Sequence, residues 1–397
     1  MSRRDRLDVI VVGGGVVGAA AALAFARDGL QVALVEAREP PPWRADVPDL
    51  RVYAFAPDNA ALLDDLGVWS SVIGARAQPY RAMRVWDAAG GGELAFDADR
   101  LARRELGWII EHGLLVDRLW SALPAAGVRL HCPEQVAGLE QDETGASVLL
   151  ASGARLRAAL VVAADGAASP LRRLAGIDAP CHEYGQRGLV AFVDSELPHQ
   201  ATCWQRFLPG GPLAFLPFAG GEGGNRRSSI VWSLPDTEAE RLLACDEGAF
   251  LTELGRAFDG PLGELRAVSR RAAFPLRRQL AQACVAGRVV LVGDAAHVVH
   301  PLAGQGVNLG LRDVAALRVT VRAAIERGAD PASPARLARW QRQRRSDNAL
   351  AAWTFDGLNR LFSNDALAPT LVRGHLLGLA GRLPPLTRAL WRHAAGV

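Results

Sequence analysis

The segment from Asp8 to Glu36 constrains this chain of 397 residues more than any other. Asp8-Val-Ile-Val-Val12 is a continuous β-branched run, the pattern of a strand buried on both faces. It feeds Gly13-Gly-Gly15-Val-Val-Gly18 and then an alanine-rich stretch to Arg27 with high helix propensity. In such a turn Gly13 permits the tight bend, Gly15 lets a pyrophosphate approach the backbone, and Gly18 lets the helix pack close on the strand. The free N–H groups of the helix then receive the phosphates. A second apolar run, Gln31-Val-Ala-Leu-Val-Glu36, ends in an acid about 20 residues on, where a ribose hydroxyl would find its partner. A lone GxGxxG is weak. Flanked by two strands and a helix, it predicts a parallel α/β sheet that holds a dinucleotide.

Two later motifs repeat the same logic. Leu160-Val-Val-Ala-Ala-Asp165-Gly166-Ala-Ala-Ser169-Pro-Leu-Arg172 is a buried strand running into Asp-Gly, with a serine placed to cap a basic helix. Val289-Val-Leu-Val-Gly293-Asp294-Ala-Ala-His297 again delivers an aspartate at a strand's carboxyl end, where open α/β sheets bind ligands. The glycine-rich turn Gly304-Gln305-Gly306-Val307-Asn308 then opens a helix whose N-terminus favours negative charge.

Composition removes competing chemistries. All 45 cationic side chains are arginine, because no lysine occurs. Schiff-base and pyridoxal-phosphate enzymes, P-loop NTPases and protein kinases each need a lysine that this chain lacks. Arginine cannot replace it, since the guanidinium stays protonated. A net charge of +3 gives no footprint for nucleic acid as a partner. The cysteines Cys132, Cys181, Cys203, Cys245 and Cys284 are scattered without a C-x-x-C, so neither a zinc site nor a disulfide framework is expected, and a cytoplasmic setting fits. No window approaches the apolar length of about 18 residues that a membrane span needs.

The three motifs, in this order and spacing, resemble the class A flavoprotein monooxygenases, the para-hydroxybenzoate hydroxylase fold. That resemblance implies FAD, with its ADP half on Gly13, Gly15, Gly18 and Glu36. Asp165-Gly166 would lie near both FAD and the nicotinamide, and Asp294 would hold the ribityl hydroxyls. Gly304 to Asn308 would sit at the flavin's pyrimidine edge. Arg51, in Asp49-Leu-Arg51-Val-Tyr53, matches an arginine that reaches the flavin, although a surface role is open to it too. His112 falls where relatives often carry asparagine, a candidate flavin-side contact. His297 and His300 flank the flavin turn, either as proton relays or as packing residues. The implied chemistry is reduction of FAD by a transient NAD(P)H, reaction with oxygen, and hydroxyl transfer to an activated aromatic ring.

More of the chain resembles one subgroup, the ubiquinone-biosynthesis hydroxylases (the UbiH/UbiF/VisC group). The marks are Leu66-Gly-Val-Trp69, Leu106-Gly-Trp-Ile-Ile-Glu111, Gly211-Pro-Leu-Ala-Phe-Leu-Pro217, Ser229-Ile-Val-Trp232, Phe274-Pro-Leu276, His300-Pro-Leu-Ala-Gly304 onward, and Leu361-Phe-Ser363. This implies a polyprenylated phenol or quinol substrate, with Phe215, Pro217, Pro301 and Leu302 on the substrate side. The aromatics Trp204, Phe207, Phe215, Phe218 and Trp232 suit either an apolar tunnel or a sheet core. A flavin-binding scaffold subunit of a quinone-biosynthesis complex, or a same-fold flavoenzyme with another aromatic or isoprenoid substrate, is the alternative. Lysine-dependent halogenases on this fold are excluded by composition.

The expected architecture is a discontinuous FAD-binding Rossmann-type domain (1–75, 98–180 and 270–335), an antiparallel substrate sheet (76–97 and 181–269) and a helical segment (336–397). Arg342, Arg344, Arg345 and Asp347 read as one charged helix with a structural task. After Ala366 no acid occurs, while Arg373, Arg382, Arg388 and Arg392 alternate with Leu/Trp clusters. That pattern suits peripheral contact with an anionic inner membrane, or equally a solvated helix face.

Overall fold

The computed structural model describes residues 7–88, 93–220, 224–299 and 306–344. Its first layer grows from the strand Leu7–Val12, every residue of which except Asp8 is buried. This strand pairs in parallel with Arg155–Ala163 on one side and Val32–Val35 on the other. Val289–Leu291 adds in parallel beyond Arg155–Ala163, and Arg129–His131 beyond Val32–Val35. The antiparallel hairpin Val136–Asp142 and Gly145–Leu150, and the short strand Val285–Ala286 antiparallel to Val289–Leu291, bring the sheet to eight strands. Three adjacent parallel strands therefore end side by side, and each delivers one of the motifs: Gly13, Asp165 and Asp294.

The helix Val16–Arg27 explains its own alanines. Ala19 to Ala22 and Ala24 are fully buried because the helix is sandwiched between this sheet and the helices His112–Ala122 and Gly306–Ile325. A Cβ at Gly18 would stand 1.9 Å from the Gly13 carbonyl oxygen, and Gly13 itself, at φ +102, lies against the Ala164 backbone. Both glycines are compelled by close approach.

The second layer is a nine-stranded sheet centred on the long strand Cys181–Ser195. Across it the order runs His297–Val298, Ala272–Leu280, Cys181–Ser195, Arg227–Pro235, Gly211–Pro217, Thr202–Leu208, Ala82–Asp87 and Glu93–Asp97, with Leu265–Val268 also on Cys181–Ser195. One face is covered by the helices Asp236–Ala244 and Glu247–Phe258. Leu189, Ala191, Phe215 and Trp232 bury there, with Leu189 and Phe215 each contributing roughly 1.5–3 kcal/mol. The alternate residues Val190, Phe192 and Leu216 face the first layer, where the three-stranded sheet of Val52–Phe55, Gly107–Glu111 and Ala77–Tyr80 meets them.

Two strands lie in other sheets than the expected division gives. Ala272–Leu280, expected in the FAD-binding part, pairs with Cys181–Ser195 in the second sheet. Ala77–Tyr80, expected in the substrate part, pairs with Gly107–Glu111. Strand spacing along the chain does not reveal which free edge a returning strand will find. Residues 345–397, including Arg345, Asp347 and the basic C-terminal segment, lie outside the described residues.

Candidate active site

The carboxyl ends of the three parallel strands open on a cavity of about 570 Å³ between the two layers. Its first wall carries Arg51, Tyr53, Ala167, Asp294, Gly306 and Val307. Its second wall is the inner face of the nine-stranded sheet, with Val190, Ala214, Leu216, Val231, Phe274 and Leu276. Size and lining suit an organic ligand, mostly apolar with a few convergent polar groups.

The dinucleotide turn fits a phosphate-bearing cofactor. Gly15 begins the helix with extended backbone, and a Cβ built on it would meet nothing within 4 Å. Among the described residues no side chain caps that N-terminus, which suits an anion. Glu36 braces the turn: its Oε2 accepts from Gly14 N at 2.5 Å and its Oε1 from Arg38 N at 3.1 Å. Each oxygen keeps a lone pair for a ribose hydroxyl. Trp120 Nε1 donates to the Gly14 carbonyl at 2.6 Å and fixes the loop from the other side.

Asp294, expected to hold the ribityl hydroxyls, lies at the edge of the cavity. It is exposed on a short 3-10 turn, Gly293–Ala295, it borders the cavity, and no protein donor reaches its carboxylate among the described residues. A carboxylate held rigidly in a cleft without a partner suits ligand hydroxyls. Arg51 also borders the cavity, with its guanidinium 5.4 Å from the Tyr53 ring centre. His112 Nδ1 lies 2.9 Å from Tyr53 Oη. Burial, with Arg51 close by, pushes the imidazole down to about 4, so His112 is neutral and accepts from the tyrosine when Nε2 carries the proton.

Four expected site residues spend their side chains on the protein itself. Asp165 accepts from Ser169 Oγ at 2.5 Å and Leu171 N at 3.0 Å, so it caps the helix Pro170–Leu174, and burial raises its pKa. Gly166, at φ +82 with open space around it, is the part of that motif free to approach a ligand. Asn308 is fully buried; its Oδ1 accepts from Ala56 N and Asn59 Nδ2, and its Nδ2 donates to the Ala54 carbonyl. It braces the helix against the strand Val52–Phe55 rather than presenting its amide to the cavity. His297 does not border the cavity: it is 2 % exposed and its Nε2 is 2.6 Å from Asp313 Oδ2. Phe215 points to the helix-covered face, its ring centre 4.0 Å from that of Phe258. Pro217, two residues on, shares its parity, and neither borders the cavity. Ala214 and Leu216 take that place. Trp204 and Trp232 pack in the same helix-covered core as Phe215. His300, Pro301, Leu302, Gly304 and Gln305 lie outside the described residues.

Residues that sequence reasoning passed over hold the site together. Asp313 Oδ2 also accepts from Gly293 N at 3.1 Å, and its Oδ1 takes Arg344 Nε at 2.7 Å. Burial opposes the His297 charge, but the Asp313 carboxylate outweighs it and holds the imidazole above its usual pKa. Arg172, also buried, donates to Ala295 O at 2.8 Å and Ala167 O at 2.9 Å, clamping two motifs together. Glu111, fully buried, receives Arg76 through Nε and Nη2, Trp43 Nε1 and Asp49 N, which sets the approach to Arg51. An acid on the apolar stripe of a helix was the one available signal for Asp313.

The profile of the FAD binding domain family matches residues 6–352. Among solved structures, p-nitrophenol 4-monooxygenase of Pseudomonas putida superposes with a TM-score of 0.78 at 21% identity, covering 98% of each chain. Klebsiella pneumoniae HpxO complexed with FAD superposes at 0.74 and 19% identity, covering 98% of this chain and 99% of its own. The chain belongs to the FAD binding domain family and has the para-hydroxybenzoate hydroxylase-like fold of class A flavoprotein monooxygenases, with FAD as cofactor. The protein named ubiquinone hydroxylase UbiL from Rhodospirillum rubrum is 40% identical over 393 residues, 98% of this chain and 89% of that one. The 3-demethoxyubiquinol 3-hydroxylase of Escherichia coli is 36% identical over 392 residues, 98% of each. Within the family, the chain is a member of the ubiquinone-biosynthesis hydroxylase group.

Proposed function

We propose that this enzyme hydroxylates a ring carbon of a polyprenylated phenol or benzoquinol on the way to ubiquinone, with FAD as cofactor, NAD(P)H as reductant and molecular oxygen as co-substrate. The observation that carries the reading is the cavity in which the flavin-motif residues face an apolar sheet wall. Bound FAD supplies the redox chemistry and the activation of oxygen. The chain's own residues bind, orient and exclude water. Gly13, Gly15 and Gly18 with the following helix take the pyrophosphate, Glu36 the ribose, and Asp294 the ribityl hydroxyls. The backbone of Gly306 and Val307, at a helix N-terminus bordering the cavity, would offer positive potential to the flavin without a lysine. Arg51 approaches from the residue before the strand Val52–Phe55, and Val190, Leu216 and Leu276 keep the cavity dry.

The identity of the relatives supports a quinol substrate, and the cavity's apolar wall suits its hydrocarbon. No helix among the described residues is long and apolar enough to cross a membrane. Our reading has the enzyme collect its substrate at the cytoplasmic surface of the inner membrane, helped by the acid-free, arginine-bearing sequence after Ala366, and work beside other quinone-biosynthesis proteins. Truncation after Asn364 that left liposome binding undiminished would remove the first part of that reading. The decisive experiment is the quinone profile of a strain lacking the gene. Accumulation of a polyprenyl phenol short of one hydroxyl, restored by the gene, is expected and names the ring position. An unchanged quinone pool would overturn the assignment.

A further inference from the structure

Helix 334–344 carries two polar side chains on the face that packs into the first layer. Leu337 and Trp340 are buried in the core around the parallel sheet. At helical spacing Gln341 and Arg344 continue the same stripe, and Arg344 is buried with them. A guanidinium on an apolar stripe is costly unless a partner and hydrogen bonds compensate it.

Both side chains reach the hairpin that delivers Asp294. Gln341 Oε1 accepts from Cys284 N at 2.7 Å and from Val285 N at 2.9 Å. Cys284 O in turn accepts from Leu291 N at 2.8 Å, across the hairpin that Val285–Ala286 forms with Val289–Leu291. Arg344 Nε donates to Asp313 Oδ1 at 2.7 Å, and Asp313 Oδ2 accepts from Gly293 N at 3.1 Å. Two separate hydrogen-bonded paths therefore run from one helix stripe to Leu291 and Gly293, on either side of Val292 and just ahead of Asp294. Gly293 begins the turn that places the carboxylate, at φ +58, where the backbone gains least from its own chain neighbours.

We propose that helix 334–344 is the support of the Asp294 turn, with Gln341 and Arg344 as its positioning residues, so that docking of this helix and binding of FAD are one coupled equilibrium. A ligand that holds Asp294 in place stabilises the docked helix, and loosening the helix weakens that ligand by the same factor. The proposal rests on the reading that Asp294 meets FAD. Asp294→Ala tests that reading separately: an unchanged FAD Kd in that variant would remove it, whereas the outcomes below judge the helix.

The first test needs no variant. Hydrogen exchange of the full-length protein with and without FAD should slow about tenfold in peptides from 334–344, and at least about threefold more than in the helix Glu247–Phe258, which covers the far face of the second sheet. In the second, Gln341→Leu and Arg344→Leu should each raise the FAD Kd about tenfold by fluorescence titration and alter the visible circular dichroism of the bound flavin. Gln341→Glu keeps an acceptor for both N–H groups and should hold the Kd within about twofold of wild type. Melting scans report whether each variant is folded. Slowing in 334–344 no greater than in Glu247–Phe258, wild-type Kd in both folded leucine variants, or a Gln341→Glu variant as weak as Gln341→Leu would overturn the proposal.

Discussion

Replacing Asp313 by Asn isolates what holds the Asp294 turn. The carboxylate accepts from His297 Nε2, Gly293 N and Arg344 Nε, and all three charged side chains are 5 % exposed or less. Breaking a buried ion pair by removing one partner costs roughly 3–5 kcal/mol. The lower end applies, because the asparagine oxygen can still accept one of the three donors. Unfolding entropy of about 2.1 cal/mol/K per residue makes about 0.8 kcal/mol/K for a chain of this size, so the loss lowers Tm by about 4 °C. The effect should depend on pH. In the wild type His297 has a raised folded-state pKa, so its contribution is complete below the unfolded value near 6.5 and is lost as pH rises through the folded one. In the variant burial, the largest single influence, and Arg344 lower the imidazole's pKa, and of the carboxylates that raise it only Asp294 is left. The Tm gap between wild type and Asp313→Asn should therefore be wider at pH 6 than at pH 9. Calorimetric scans of the protein without flavin measure it, and fluorescence titration gives the FAD Kd, expected to rise about tenfold as the Gly293 turn loses its acceptor. Equal melting at pH 6, or a gap that widens with rising pH, would refute the reasoning.

Asp294→Ala should do the opposite: with no hydrogen-bond partner among the described residues to lose, the flavin-free protein should melt within about 1 °C of wild type, while the FAD Kd rises about tenfold or more from lost charge-assisted hydrogen bonds. For His112, NMR titration should find no inflection above pH 5, since its pKa is held to about 4. Its folded form refuses a proton that the unfolded form takes, so it makes the protein less stable as pH falls from about 6.5, and His112→Gln should lessen that acid sensitivity. Phe215→Ala should cost roughly 3–5 kcal/mol by denaturant titration and leave KM for the quinol within about twofold, because the ring is on the helix-covered face. Leu216→Ala, one residue away on the cavity face, should raise KM; the reverse pattern would mean that strand parity is misassigned.

The flavin-binding half was legible because its motifs are local. Gly13, Gly15 and Gly18 answer to clashes within a single strand–turn–helix unit, and their spacing along the chain is their spacing in space. Asp294 was legible for the same reason, since a strand end is a position in sequence. The misplaced residues share a cause. Asp165 and Asn308 were read as cofactor contacts, and His297 as a proton relay or a packing residue, from their position in a motif, but a side chain's partner depends on what packs against it. Those partners were Ser169 and Leu171, the segment Ala54 to Asn59, and Asp313. For Phe215 the error was one of parity: in a strand apolar on both faces, composition does not say which face is the core.

Sequence by itself settled the class of site: a parallel sheet, a dinucleotide turn, and no lysine for the chemistries that require one. It did so because backbone geometry and phosphate binding are dictated by neighbours in the chain. Only the tertiary structure decided which residues face the reaction. The register of five strands brought Ala272, Val190, Val231, Ala214 and Gln205 to one cavity from places as far apart as 190 and 272. Asp313 likewise came to support Gly293 from 20 residues away. Such contacts are set by long-range packing and by the desolvation of buried charge, and neither leaves a period or a motif in the sequence.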